Sequence, residues 1–268
     1  MTRIAVFQMS ATIDAAARPQ RIMDAMQQAA SGGARLLVAP ELALAGYGRG
    51  DALEREAQRP DGAWARQLGA AAARHGISVI AGFPEDGGSH GGTQVRHISA
   101  LMIDADRPDA PEIYRKGCLY GPYERRHFTA AGPSTVIAGI AGLKVGCLIC
   151  YDVEFPENVR RLAVAGADLI AVPTALPKDP ASAFIARNII RARAFESQIF
   201  IAYADNADTD EGFTYQGLSS IAAPDGAVLA DAGEAGDALI YADIDGRAYA
   251  ASREVNPYLE DAARQGLI

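Results

Sequence analysis

The stretch Leu143-Lys144-Val145-Gly146-Cys147-Leu148-Ile149-Cys150-Tyr151-Asp152-Val153-Glu154-Phe155-Pro156-Glu157 changes character halfway along. Leu143–Ile149 is largely apolar and reads as a strand. From Pro156 the chain reads as a helix to Gly166, with proline as its first residue and Glu157 in its first turn, where an acid suits the helix dipole. A strand handing over to a helix is the repeating unit of α/β proteins. Cys150 falls at the junction, in the position of a nucleophile elbow that presents a side chain at a sheet's edge. Unpaired N–H groups of a following helix would lower a thiol pKa from roughly 8.5 toward neutrality. The same residue also reads as a buried structural cysteine, a common fate of free thiols.

Working outward, the alternation continues in both directions. Ile4–Gln8, Leu36–Ala39, Ile77–Phe83, Ile98–Asp104, Glu112–Tyr114, Leu169–Val172 and Ile199–Ala204 are strand candidates. Arg18–Ala30 is a helix candidate with Ile22, Ala25, Met26 and Ala29 on one face, stopped by Gly32-Gly33. Ala63–His75 and Ala183–Phe195 are two more. Asp86–Gly92 has four glycines in seven residues and reads as a loop. Leu218–Ala222 and Ala227–Ala230 flank Pro224-Asp225-Gly226 as a hairpin. Some strands are wholly apolar and precede helices while others pair as hairpins, so mixed sheets are expected. No repeat or linker divides residues 1–268, which read as one domain.

The chain has 268 residues, 49% hydrophobic and 22% charged, enough for one large core. Its first ten residues read as a strand and lack the cleavage pattern of a signal peptide. No apolar run approaches the eighteen or so residues of a membrane helix, so a cytoplasmic location is expected. The three cysteines, Cys118, Cys147 and Cys150, are too few and odd in number for a disulfide scaffold. Net charge is −8, and the ten acids between Tyr203 and Asp245 have no Lys or Arg among them. Such a surface disfavours nucleic acid. It reads as a solvated face, or alternatively as an acidic rim that draws in cationic substrates.

Three strand ends carry reactive groups. Glu41 follows Leu36–Ala39, Lys116 follows Glu112–Tyr114, and Cys150 ends Val145–Ile149. Ligands of open α/β folds bind beyond the carboxyl ends of strands, where loops converge. Other motifs carry less. Cys147 and Cys150 form C-x-x-C, but a strand would turn the two side chains to opposite faces. Gly46-Tyr47-Gly48-Arg49-Gly50 departs from the dinucleotide fingerprint. Gly217-Leu218-Ser219-Ser220 lacks the second glycine of a serine elbow. His75, His90, His97 and His127 show no metal-ligand spacing with the cysteines. His127 reads as a packing residue, or as a base for Cys150.

Taken in order, these segments resemble the nitrilase superfamily of carbon–nitrogen hydrolases. Gly146–Glu157 resembles its nucleophile motif, and Pro40-Glu41 with Gly46-Tyr47 its base motif. Arg115-Lys116, Leu119-Tyr120-Gly121, Glu124, Phe128 and Gly132 resemble its lysine motif. Ala167–Ala175 and Arg191–Glu196 resemble two further blocks, and the similarity runs from Ile4 to about Leu259. The resemblance implies a four-layer α-β-β-α sandwich, two mixed sheets covered by helices, and a homodimer or higher homo-oligomer. It implies hydrolysis of a small primary amide without cofactor or metal. Cys150 would attack, Glu41 would move protons, and Lys116 with the Tyr151 N–H would hold the oxyanion. Glu124, Tyr47, Tyr151 and Glu154 would bind substrate or support the site, and Lys116 between two carboxylates would stay charged.

Cys150-Tyr151-Asp152 is closer to the amidase branches than to nitrile hydrolases. The residues through Arg160-Arg161-Leu162-Ala163 look most like 5-aminopentanamidases and stereoselective amidases, which implies an aliphatic or amino-substituted amide. An N-carbamoyl amino acid hydrolase uses the same triad and is the alternative. A non-catalytic binding or assembly member is the alternative of another class. The chain departs from the family pattern at His97-Ile98, at Ser197, at Asp205 and in the length of the block ending at Gly132, which leaves the triad intact and bears on substrate choice.

Overall fold

The computed structural model describes residues 1–268, the side chain of His90 excepted. Twelve strands are joined through their hydrogen bonds into one continuous surface that folds over as two facing sheets. The first sheet holds β1 (Thr2–Ser10), β2 (Leu36–Val38), β3 (Ser78–His90), β4 (Thr93–Ile103) and β5 (Glu112–Arg115). In the second lie β6 (Ile137–Ile140), β7 (Leu143–Cys147), β8 (Leu169–Thr174), β9 (Phe200–Ala207), β10 (Ser220–Ala222) and β11 (Val228–Asp231). The last strand, β12 (Ala238–Ile244), returns to pair antiparallel with β1 in the first sheet. Strands β1, β2 and β3 run parallel, as do β7, β8 and β9, and the hairpins are antiparallel. The sheets are therefore mixed, as the two kinds of strand imply. They meet where Met9 and Ser10 pair with Asn206 and Ala207.

Alternation along the strands makes the layers. Ile4, Val6, Leu36, Val38 and Ile80 face Val145, Cys147 and Leu169 across the inter-sheet core. The intervening residues Ala5, Phe7, Leu37 and Val79 face outward, against Ile22, Ala25 and Met26 of α1 (Arg18–Ser31). Leu68 and Ala72 of α3 (Ala63–His75) pack there too, after the short α2 (Asp51–Glu56). Each buried Leu, Ile or Phe contributes roughly 1.5–3 kcal/mol. Two further short helices of the chain, α4 (Gly121–His127) and α5 (Pro156–Val164), follow β5 and β7. On the outer face of the second sheet Leu162 of α5 fills the space over Gly146. Beside it runs a continuous helical segment of α6 (Ser182–Phe184), a π turn (Ile185–Ile189) and α7 (Ile190–Ser197). Helix, sheet, sheet and helix form the four layers that the resemblance implies.

Two sequence expectations need correction, and several elements had none. Asp86–Gly92 is not a loop: β3 runs on to His90, and only Gly91 and Gly92 turn. The glycines instead make a β-bulge, with pairing shifted between Asp86 and Ser89 and Gly88 at φ 78°. The helix expected over Ala183–Phe195 is interrupted by the π turn. Strands β6 and β12, and the helices α8 (Ala250–Val255) and α9 (Tyr258–Arg264), had no assignment from pattern.

Candidate active site

Glu41, Lys116 and Cys150 sit at the carboxyl ends of β2, β5 and β7, and the two facing sheets bring these ends together. Glu41 is wholly buried, its backbone N–H donating to Thr174 O at 3.2 Å. Gly82 makes this approach possible, since a Cβ there would stand 2.4 Å from Leu42 N and 2.7 Å from Glu41 Cα. Lys116 is held by its own N–H on Ile98 O (2.8 Å), and its neighbour Arg115 is clamped by the buried Glu85. Cys150 opens a 3-10 turn, Cys150–Glu154, with φ 48°, a left-handed conformation rare for a side-chain-bearing residue. Such backbone strain is characteristic of functional turns.

The side chains form one buried network. Lys116 Nζ donates to Glu41 Oε1 and to Glu124 Oε1, both at 2.7 Å. Glu41 Oε2 accepts from Ala175 N at 3.0 Å. Glu124 also accepts from the Tyr47 hydroxyl (2.8 Å) and from Tyr120 N (2.7 Å), so α4 and the loop after β2 are tied to the same ammonium. The Cys150 thiol lies beside the Glu41 carboxylate. Four of the predicted residues are thus linked in one chain of hydrogen bonds, Glu41 to Lys116 to Glu124 to Tyr47, and Cys150 abuts Glu41. Tyr151 and Glu154 lie farther out, half-buried. The Tyr151 ring packs edge-on to Tyr120 (5.4 Å) and Phe155 (4.9 Å) at the mouth of the site.

Electrostatics follow from burial and from who faces whom. Burial pushes the Glu41 carboxyl up, Lys116 opposes this, and it rests at about 7. Burial opposes charge on Lys116, yet Glu124 and Glu41 outweigh it and hold the ammonium well above the ordinary lysine value. Lys116 therefore remains charged, as expected from its two carboxylates. Burial and the Glu41 carboxylate together push the Cys150 thiol well up, against the pull of Lys116. This corrects the expectation of a thiol acidified by a helix N-terminus. Helix α5 begins only at Pro156, beyond the 3-10 turn, and the buried thiol faces a carboxylate.

Two residues that pattern reasoning passed over organise the site. Asp152, fully buried, accepts from Tyr114 Oη (2.9 Å), Cys118 N (2.7 Å), Gly117 N (3.3 Å) and Ile149 N (3.2 Å). It thereby ties the Lys116 loop to the Cys150 loop. Asn206 donates to Glu41 O at 3.4 Å from β9. Asp152 lies two residues from the cysteine, and a short acid at that position in the turn was the available signal.

The departures from the family pattern have distinct places. His97 Nδ1 meets Thr129 O at 2.7 Å, and Ile98 is a core residue. Ser197 is buried, and its hydroxyl has no partner among the described residues. Asp205 is wholly buried; one oxygen accepts from Leu176 N at 2.9 Å, and the other has no partner among the described residues. His127 does not serve Cys150: its ring meets Glu54 at 3.0 Å, with Asp51 nearby and Arg96 on the other Glu54 oxygen. All three cysteines are free thiols.

The acidic stretch is largely occupied with internal bonds. Asp208 accepts from Ser10, Asp210 from Gly48 N and the Tyr215 hydroxyl, Asp237 pairs with Arg21, and Glu234 pairs with Lys178 and Arg187. No described helix is long and apolar enough to cross a membrane.

Fold and site together define a carbon–nitrogen hydrolase of the nitrilase superfamily. Residues 3–253 match the carbon–nitrogen hydrolase family, and the chain belongs to that family. It is 40% identical over 266 residues to a hydrolase of Pseudomonas protegens named for the pqqF 5' region, covering 97% of this chain and 88% of that one. It is 33% identical to an (R)-stereoselective amidase of Pseudomonas sp., over 82% of this chain and 76% of that one. The amidase of Nesterenkonia sp. AN1, solved as a cysteine-to-alanine mutant with butyramide, superposes with a TM-score of 0.81 at 30% identity, covering 97% of this chain and 93% of that one. In another structure of that amidase, acrylamide has added to its active-site cysteine.

Proposed function

We propose that this enzyme is an amidase that hydrolyses a small aliphatic primary amide to a carboxylic acid and ammonia through a thioester on Cys150. The observation that carries the reading is the Lys116 ammonium, fully buried and 2.7 Å from both Glu41 and Glu124, beside the cysteine. An amide resists attack and has a poor leaving group, so the site must supply both a nucleophile and a proton. Glu41 takes the thiol proton as Cys150 Sγ bonds to the carbonyl carbon. The C–N bond then breaks as Glu41 returns that proton to departing ammonia. Glu41 next takes a proton from water, whose oxygen attacks the thioester, and the thiolate leaves and recovers the proton. Both tetrahedral states place negative charge on the former carbonyl oxygen. Lys116 and the Tyr151 N–H stabilise it, an effect worth about 3–4 kcal/mol per donor.

A Glu41 pKa near 7 suits a group that must accept and donate within one turnover. Glu124 holds Lys116 in place and, with Tyr47, fixes its direction. Homodimer formation belongs to the same reading: Val164 of α5 and the adjacent Leu267 and Ile268 form an exposed apolar patch, a support that a solution mass would test. The direct test of activity is ammonia release from a panel of primary amides, nitriles and carbamoyl amino acids, with Cys150→Ala alongside. Release from primary amides that vanishes in the variant is expected; turnover confined to carbamoyl amino acids would replace this reading with the carbamoyl one.

A further inference from the structure

Two consecutive amides of one turn hold two carboxyl groups. Strand β8 ends at Thr174, which pairs with Asp205 of β9. The next N–H, of Ala175, donates to Glu41 Oε2 at 3.0 Å, and the one after it, of Leu176, donates to Asp205 Oδ1 at 2.9 Å. The turn is pinned on its other side as well, where Leu176 O accepts from Gln216 N at 2.9 Å. Glu41 is tied to the same two strands through its backbone. Its N–H reaches Thr174 O at 3.2 Å, and its carbonyl accepts from Asn206 Nδ2 at 3.4 Å.

Asp205 is wholly buried, and among the described residues it has no ion pair and no partner for Oδ2. Its own N–H is fixed on Ser219 Oγ at 2.9 Å. The titratable groups that face it are Glu41, one amide along the turn, and Tyr203, two residues back on β9; neither brings a positive charge. Lys116 is taken up by Glu41 and Glu124. A carboxylate in this place would be stripped of water, short of partners and repelled by Glu41. Burial accordingly pushes the Asp205 carboxyl well above the usual carboxylate range, and the group keeps its proton. A protonated carboxyl still accepts a hydrogen bond through its carbonyl oxygen.

We infer that Asp205 is a positioning residue for the Glu41 base: as a neutral acid it fixes the Ala175-Leu176 turn, so that the Ala175 N–H stays on Glu41 Oε2. The inference rests on the amidase reading above, in which Glu41 moves the protons. A donor held on a carboxylate oxygen favours the ionised form. The same bond sets the direction in which the other oxygen, Oε1, meets Lys116. Asp205 touches neither Lys116 nor the reacting atoms, and it acts through one backbone turn. Neutrality matters as much as the bond, because a second anion one amide away would raise the Glu41 carboxyl further.

The test compares wild type, Asp205→Asn and Asp205→Leu on butyramide between pH 5 and pH 9. Asparagine keeps the acceptor and cannot ionise, whereas leucine removes the acceptor. Asp205→Asn should keep kcat within about threefold and leave the acid limb of kcat/KM in place. Asp205→Leu should lower kcat about tenfold or more with KM within about twofold. Its acid limb should move to higher pH, because Glu41 without a firm Ala175 N–H holds its proton more tightly. An unmoved limb in Asp205→Leu would overturn the inference, as would equal losses in the two variants. Should no amide be hydrolysed, the amidase reading itself fails, and the pH dependence of Cys150 alkylation by iodoacetamide in the same three proteins still decides the positioning role. A profile displaced upward in Asp205→Leu alone supports it; three coincident profiles refute it. Should Asp205→Leu not fold, the infrared difference spectrum of wild type against Asp205→Asn at pH 7 decides. A protonated-carboxyl stretch supports the neutral acid, and carboxylate bands in its place refute it.

Discussion

Lys116 Nζ and Glu41 Oε1 meet at 2.7 Å with neither side chain exposed to solvent, one cation shared between two buried carboxylates. Burying charges costs several kcal/mol each, so the network holds only while its members are complete. Lys116→Met leaves Glu41 and Glu124 facing each other without a counter-charge. Stability should fall by about 3–5 kcal/mol, read as the shift in urea midpoint at pH 8, and part of the loss should return in Lys116→Met/Glu124→Gln.

Activity should follow the protonation of Glu41. The base form exists above its pKa of about 7, so kcat/KM should fall about tenfold per pH unit below that value and level off above it. A flat profile between pH 5 and 7 would remove Glu41 from the role of base.

Stability has the opposite sign. Because folding raises the Glu41 pKa from the ordinary 4.5 to about 7, its contribution is complete below about 4.5 and is lost as pH rises through 7. Chemical unfolding of wild type and Glu41→Gln at pH 5 and pH 8 checks this: the difference should move in favour of the glutamine variant at the higher pH.

Cys150→Ala should lower ammonia release by about 10^4-fold or more, since a nucleophile has no substitute in this chemistry. Cys147→Ala, three residues away but directed into the inter-sheet core, should keep activity within about threefold while costing roughly 1 kcal/mol of packing. Comparable losses in both variants would mean the motif acts as a pair.

Asp152→Ala removes the acceptor shared by Gly117, Cys118, Ile149 and Tyr114. Losing it strands buried donors at about 1–3 kcal/mol each, and both the Lys116 and the Cys150 loops would shift. Turnover should drop about 100-fold with a lowered melting temperature. Gly82→Ala should also weaken both activity and stability, the latter by about 1–3 kcal/mol, because its methyl group would collide with the backbone of Glu41 and Leu42.

The parts of this molecule that follow local rules were legible in the chain. The amphipathic face of α1, the apolar strands that precede helices, and the reactive residues just beyond three strand ends all declare themselves by period and position. So did the family, through motifs that recur in order. Local pattern misread Asp86–Gly92, because a bulge tolerates glycine as readily as a loop does, and it passed over β12, whose partner β1 lies more than 200 residues earlier in the chain. The acid–base state of the site was out of reach for the same reason. Nothing in the sequence around Cys150 says that its thiol faces Glu41 rather than a helix N-terminus, or that Asp152 binds four donors from three segments. Those facts depend on the stacking of two sheets, which removes water and sets the distances between charges, and Coulomb and desolvation terms respond to distance in space rather than along the chain.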